Sequence, residues 1–328
     1  VAVFGAAGFT GALSARLLFR HPSFELRTVT TRSDAGRRLD ELYPYHRVPL
    51  KLEDLDLDRQ AEGLEAAIVA YPHGAAAELV SELRERGVRV VDLSADFRLR
   101  DPEVYRSWYR EHPVPHLLDH AVYGLPERYR EQIREAGLVA NPGCYPTAAL
   151  LALAPLALAG VIADVVLDAK SGVSGAGRAA TETTHFVSVD ENVSPYGIPC
   201  HRHTPEIEQE LAALGADVRI TFTPHLLPLD QGELVSCYVT AADGARDDLN
   251  ALYANSYAAE PFVEVVDKPP GVRDVRETNI CRMSVHRDPR TGRVIVFSAI
   301  DNLWKGAASQ AVQNLNLMFG LPEEAGLT

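Results

Sequence analysis

The opening "VAVFGAAGFTGALSARLLFR" constrains this chain more than any other stretch. An apolar run over 1–5 meets three glycines spaced by three, Gly5, Gly8 and Gly11, and passes into a helical pattern ending near Arg20. A short apolar strand that turns sharply into a helix begins an α/β architecture. The pattern then repeats. "FELRTVTT" (24–31), "AAIVAY" (66–71), "VRVVDLS" (88–94) and "GLVANPG" (137–143) read as strands, with a helix over 75–86. Apolar strands alternating with helices predict a parallel sheet covered on both faces. Between about 95 and 135 the chain is polar and rich in Arg, Tyr and Pro, which predicts an irregular lobe or lid.

The second half changes character. "DVVLDAKSG" (164–172), "DVRITFTPHLL" (217–227), "GELVSCYVTA" (232–241), "FVEVVD" (262–267) and "TNICRMSVHRDPRTGRVIVFSAI" (278–300) read as longer strands, the last folded back at "DPRTGR". Helices begin at Thr204 and near Arg246, and a final one spans 306–319. This predicts an α+β domain with a mainly antiparallel sheet. A chain of 328 residues has room for two cores. The expected division is a Rossmann-type domain over 1–143, completed by the closing helix 305–328, and an α+β domain over 144–304.

The glycines carry the first functional reading. A G-x-x-G-x-x-G turn between strand and helix lets the backbone approach a pyrophosphate, and the helix N-terminus offers N–H groups to the anion. The second strand ends in Thr31-Arg32-Ser33, where a ribose 2′-hydroxyl would ask for an acid. An arginine and hydroxyls there predict NADP(H) rather than NAD.

"NPGCYPT" (141–147) runs straight into "AALLALAPLALAG". Cys144 therefore sits at the tip of a buried helix, with Pro146 in the first turn, where a helix dipole favours a thiolate. Cys237 and Cys281 lie mid-strand and Cys200 follows a proline, so Cys144 is the candidate nucleophile. A thiolate beside a nicotinamide suggests attack on an activated acyl group, a thioester, and its reduction to an aldehyde. Such chemistry needs an acid/base, and "GIPCHRHTPEIEQEL" supplies candidates in His201, His203 and Glu206. Thr204-Pro205-Glu206 has the signature of a helix start. Cys200, His201 and His203 lack a fourth ligand at metal-site spacing, so no metal is expected. "SGVSGAGR" (171–178) is a glycine-rich anion nest after a strand.

Charge excludes other classes. With 45 acidic against 32 basic residues the net is −13, and no basic tract stands out. Nucleic acid and anionic membranes are therefore not expected partners. The apolar run 148–163 is too short and alanine-rich for a membrane span. Four cysteines without a Cys-x-x-Cys point to a reducing compartment, the cytoplasm. No signal peptide is visible, although Val1 already lies inside a strand, so preceding residues are expected.

Together "GAAGFTG", "YPHG" (71–74), "DLSADFR" (92–98), "YGLPE" (123–127), "NPGCYPT", "KSGVSGAG" (170–177), "HRHTPEI" (201–207) and "DNLWKGAASQAVQN" (301–314) resemble the N-acetyl-γ-glutamyl-phosphate reductases, relatives of the aspartate-semialdehyde dehydrogenases. The resemblance spans the chain in order. It implies reductive dephosphorylation of N-acetyl-glutamyl 5-phosphate to the 5-semialdehyde with NADPH, in arginine biosynthesis. It implies Cys144 as nucleophile and His201 as acid/base, supported by His203 and Glu206. It sets the cofactor against Gly5, Ala7, Gly8, Phe9, Thr10, Gly11, Arg32, Ser33, Pro72, His73, Ser171, Gly172 and Asn302. It implies a homo-oligomer, usually a tetramer, whose other partners are the acyl phosphate and free phosphate. Trp304 departs from the smaller apolar residue expected there. Arg98, Arg178, Arg202 and Lys305 are open as groups that grip the substrate. Two alternatives are a reductase of carrier-linked aminoadipyl phosphate in lysine biosynthesis and a non-catalytic NADP-binding redox sensor.

Overall fold

The computed structural model describes residues 1–242 and 248–327. The chain divides into two compact units: Val1–Gly143 with Ala307–Thr328, and Cys144–Gly306.

The first unit is built on six strands, β1 (Ala2–Phe4), β2 (Thr28–Thr30), β3 (Ala66–Val69), β4 (Arg89–Asp92), β5 (Ala121–Tyr123) and β6 (Leu138–Ala140). All pair in parallel, in the order β2-β1-β3-β4-β6-β5. β1, β3 and β6 are wholly buried, which explains their unbroken apolar runs. The helix Ala77–Glu85 covers one face with Leu79, Val80 and Leu83. Asp96, from "DLSADFR", stabilises its start. One carboxylate oxygen accepts from the Gly74 N–H at 2.6 Å, and the other from Ala76 and Ala77 at 3.1 Å each. The closing helix Ser309–Met318 is buried along its whole length. Its Asn314 amide donates to the Gly124 carbonyl at 2.9 Å and to Asn141 Oδ1 at 3.0 Å.

The irregular lobe expected over 95–135 is a correction. That stretch holds helices Pro102–Trp108 and Pro126–Glu135, a 3₁₀ turn Pro115–His120, and the edge strand β5. Tyr105 donates to Asp96 at 2.9 Å and His112 Nε2 lies 2.7 Å from the Asp96 carbonyl, so the polar residues are tied into the unit. Three-residue β5 is too short to show a period, and the helices carry only a sparse apolar face, Val104 and Trp108 in one and Tyr129 and Ile133 in the other.

The second unit carries β7 (Ile162–Gly172), β8 (Ser194–Pro195), β9 (Ile220–Leu227), β10 (Glu233–Ala241), β11 (Val263–Val265), β12 (Cys281–Arg287) and β13 (Val294–Ile300), in the order β11-β12-β13-β10-β7-β9-β8. Four of its six pairings are antiparallel; β7–β9 and β11–β12 are parallel. The helix near Arg246 is described from Leu249 to Tyr257, with Asp248 as its N-cap; Arg246 itself lies outside the described residues.

The helix Cys144–Leu158 packs against this sheet, chiefly over β10 and β13. Pro155 inside it has no N–H for the carbonyl of Leu151. The Tyr257 hydroxyl donates to that carbonyl, and the Tyr253 hydroxyl donates to the next, on Ala152. The helix therefore continues through a proline while buried. No helix among the described residues is long and apolar enough to cross a membrane.

Candidate active site

In the first unit, Gly5 adopts φ +92°, which a side chain rarely tolerates, and a Cβ there would stand 2.6 Å from the Ala70 carbonyl. A Cβ on Gly11 would meet the Gly5 carbonyl oxygen at 2.3 Å. Gly8 differs, because its nearest neighbour would be 3.8 Å away. Two glycines thus serve the turn's own packing, and the third keeps open the entrance to the helix Phe9–Phe19. The first N–H groups of a helix have no partner within it, so the cradle fits a dinucleotide's pyrophosphate. Ala7 and Phe9 brace the cradle: the Tyr43 hydroxyl donates to the Ala7 carbonyl at 2.8 Å, and its ring meets Phe9 edge-on. Thr10 accepts from Ser14 at 2.8 Å through its carbonyl.

Arg32 and Ser33 are exposed at the end of β2. The Arg32 guanidinium lies over the Tyr71 ring at 5.5 Å. Ser33 and Asp34 N–H groups donate to Thr31 Oγ1, fixing the turn, and the Ser33 hydroxyl donates to Asp34 at 2.8 Å. Pro72 and His73 are exposed after β3, with His73 Nδ1 accepting from the Ala95 N–H at 2.9 Å. Arg98, open as a substrate grip, is buried and donates to the Asn141 and Leu93 carbonyls.

The second unit gathers the catalytic candidates. Cys144 is half-buried at the first position of its helix, whereas Cys200 is exposed and Cys237 and Cys281 are buried. Burial pushes the Cys237 thiol far up. A Cβ on Gly306 would come within 2.8 Å of Cys144 Cβ, so glycine is what lets the chain pass Cys144. Tyr145, next in the helix, is buried and touches both histidine rings, at 5.6 Å for His201 and 5.8 Å for His203. Tyr196 donates to the Tyr145 hydroxyl at 3.0 Å and also faces His201.

His201 sits among Tyr145, Tyr196 and Phe222. Burial, helped by the Arg202 charge, lowers its pKa to about 4. At neutral pH the ring is uncharged. The His203 N–H donates to its Nδ1 at 3.1 Å, so the remaining proton belongs on Nε2. His203 immediately precedes the helix Thr204–Ala213, in which Pro205 and Glu206 are buried.

Ser171, Gly172 and Asn302 form a separate brace. Asn302 accepts from the Gly232 N–H at 2.8 Å and donates to Ser174 at 3.0 Å, while the Ser171 hydroxyl donates to the Gly172 carbonyl at 3.1 Å. A Cβ on Gly172 would strike the Asp230 carbonyl at 2.6 Å. Lys305 is fully buried over the Phe262 ring, and Arg178 and Arg202 are exposed. Trp304 is buried, and its N–H, like that of Leu303, donates to Asp301. Among the described residues no group of three metal-ligating side chains is poised for an ion.

Sequence reasoning missed Glu233, Tyr145 and Tyr196. Glu233 had a signal: an acid opening the otherwise apolar strand "ELVSCYV".

Two family models match, "Semialdehyde dehydrogenase, NAD binding domain" over residues 1–136 and "Semialdehyde dehydrogenase, dimerisation domain" over 144–302. The N-acetyl-gamma-glutamyl-phosphate reductase of Desulforudis audaxviator is 51% identical, over 100% of this chain and 97% of that protein. The reductase of the same name from Moorella thermoacetica is 50% identical over 99% and 96%. This chain belongs to the N-acetyl-gamma-glutamyl-phosphate reductase family. The fold of this reductase also matches solved structures. Aspartate semialdehyde dehydrogenase II from Vibrio cholerae, complexed with ASA, superposes with a TM-score of 0.74 at 19% identity, covering 97% of each chain. Aspartate semialdehyde dehydrogenase with NADP from Candida albicans gives 0.72 at 14% identity, again over 97% of each.

Proposed function

We propose that this reductase converts N-acetyl-glutamyl 5-phosphate to N-acetyl-glutamate 5-semialdehyde and phosphate, as a step of arginine biosynthesis, through a thioester on Cys144. The observation that carries the reading is Cys144 itself, half-buried at a helix tip and followed by a tyrosine that packs on His201 and His203. NADPH, when bound, supplies the hydride. The 5–11 turn holds its pyrophosphate, Arg32 and Ser33 stand ready for its 2′-phosphate, and Pro72, His73, Ser171, Gly172 and Asn302 are further cofactor positions. Cys144 attacks the acyl carbon and phosphate departs with the C–O bonding pair. His201, neutral with its proton on Nε2, donates a hydrogen bond to the acyl oxygen that strengthens as charge develops there. The hydrogen bond weakens again when the oxyanion collapses to the carbonyl, the C–S bond breaks and the aldehyde leaves.

The reductase works in the cytoplasm as a homo-oligomer, as a tetramer. The exposed side chains of Phe186, Val187, Val193 and Ile198 along one surface segment support self-association, as does the match to a dimerisation domain. The assay that tests the substrate compares N-acetyl-glutamyl 5-phosphate with carrier-linked aminoadipyl phosphate. Turnover of the free acyl phosphate alone supports the reading. Preference for the carrier-linked one moves the protein to lysine biosynthesis, and NADPH binding without turnover of either makes it a sensor.

A further inference from the structure

Glu233 is the first residue of β10 and is fully buried. Its backbone is pinned on both sides, in register with Ser171 of β7 and Ile300 of β13. Its neighbour Gly232 is held too, donating to Asn302 and accepting from the Gly172 N–H at 2.9 Å. A carboxyl in such a place normally has donors arranged around it. Here neither oxygen has a well-formed hydrogen bond. The one hydrogen-bonding neighbour that acts on its titration is the thiol of Cys144. The same corner is marked independently at Gly306, whose absent Cβ would touch both Cys144 and Ile300, the residue paired with Glu233.

We propose that Glu233 is the catalytic base that takes the proton of the Cys144 thiol. This rests on Cys144 being the nucleophile. The alternative base, His201, has its Nδ1 occupied by the His203 N–H and presents a proton at Nε2, so it is set to donate. The labour divides: Glu233 accepts the proton from sulfur and His201 donates a hydrogen bond to the acyl oxygen. In the step, the S–H bond breaks with its electron pair left on sulfur, and an O–H bond forms on the carboxylate. The thiolate pair then makes the C–S bond as phosphate leaves and takes a proton from solvent. When the reduced adduct collapses, sulfur regains its pair and recovers the proton from Glu233. The carboxylate is restored each turnover, and no further reactant is needed.

The titration behaviour fits. Burial, with the charge of Asp301 adding to it and the thiol opposing, raises the Glu233 carboxyl to about 8. That lies within roughly one unit of an ordinary thiol, near 8.5, which suits a carboxylate to a thiol's proton. The other ionisable groups coupled to this corner are Tyr145 and Tyr196, both driven up by burial and by the nearby acids, and Asp301, itself raised by burial. None of them supplies a positive charge. A group raised to about 8 is ionised in roughly one molecule in ten at pH 7. The rate should therefore climb as pH rises through 8.

The test uses the full-length enzyme with N-acetyl-glutamyl 5-phosphate and NADPH. Glu233→Gln should lower kcat/KM by about 10²–10⁴ and erase the limb that rises through pH 8. Glu233→Asp should keep the limb at a reduced rate. NADPH affinity should be unchanged in both. Wild-type kcat/KM in the Gln variant would overturn the proposal. So would a slow Gln variant whose limb stays in place, because that marks a merely structural role. If the Gln variant does not fold, the Asp variant decides: a reduced rate with the rising limb kept supports the role, and a full rate, or a reduced rate without the limb, overturns it. Alkylation by iodoacetamide separates the two readings. If enzyme alkylated at Cys144 still turns over, the thioester reading fails first. If alkylation stops turnover but Glu233→Gln does not, only the role of Glu233 fails.

Discussion

At the 5–11 turn the site is shaped by missing side chains, whereas around Cys144 it is shaped by buried and half-buried side chains packed on one another. The first is a steric device. Gly5 and Gly11 are bound to their places by carbonyls that a Cβ would strike, and a Cβ on Gly8 would meet nothing nearer than 3.8 Å. The second is electrostatic. A histidine is held neutral with its pKa near 4, and a carboxyl is held close to a thiol's range near 8, both by burial. The steric device sets Gly11 against the turn's own Gly5 carbonyl and Gly5 against the Ala70 carbonyl at the end of β3. The electrostatic one joins Cys144, the histidines near 201 and a strand start at 233. The turn should therefore fail through stability or affinity, and the pocket through rate.

The largest effect separates them most sharply. Cys144→Ser should bring phosphate-dependent NADP⁺ reduction by the semialdehyde to background while NADPH titration remains as in wild type. More than a few per cent of residual turnover would remove the pocket's defining property. His201→Ala should cost about 10²–10⁴ in kcat. Because the ring is already neutral above about pH 4, the wild-type rate should show no His201 titration near pH 6.5. The same burial also bears on stability. The unfolded histidine binds a proton near 6.5 and the folded one only near 4, so this contribution is complete above pH 6.5 and lost as pH falls towards 4. Acid melts of wild type and His201→Gln should converge as that window is crossed.

Gly11→Ala should destabilise the first unit by about 1–3 kcal/mol through overpacking, read as a lowered denaturant midpoint. Gly8→Ala should leave that midpoint alone and weaken NADPH binding. Equal behaviour of the two variants would erase the distinction between a packing glycine and an access glycine. Arg32→Ala should be the smallest change, a roughly tenfold loss in NADPH affinity, about one charge-assisted hydrogen bond. NADH affinity should be unaffected, and an equal loss for both would remove the 2′-phosphate argument.

The same contrast governs what can be read from the sequence. The glycine spacing, the buried parallel strands and the "NPGCYPT" helix start are local, and each is legible from a few neighbouring residues. β5 was not, because it is recognisable only by pairing with β6. The parallel pairing of β7 with β9 was hidden for a similar reason, since alternation shows a strand and not its direction. Cys144 and the histidines stand out by residue type and by the family resemblance. Glu233 does not, because its meaning depends on a partner 89 positions away in a β-sheet corner. Asn302 is a cofactor position by the family resemblance, and its amide also braces Gly232 and Ser174, contacts its sequence neighbours do not reveal.

The central claim is that the sulfur of Cys144 carries the acyl group. Mass spectrometry of the enzyme mixed with N-acetyl-glutamyl 5-phosphate, without NADPH, tests it directly. The account predicts one N-acetyl-glutamyl adduct per chain, on the peptide holding Cys144, released by hydroxylamine and discharged as the semialdehyde when NADPH is added. An unmodified Cys144 in enzyme that turns over under the same conditions would contradict it.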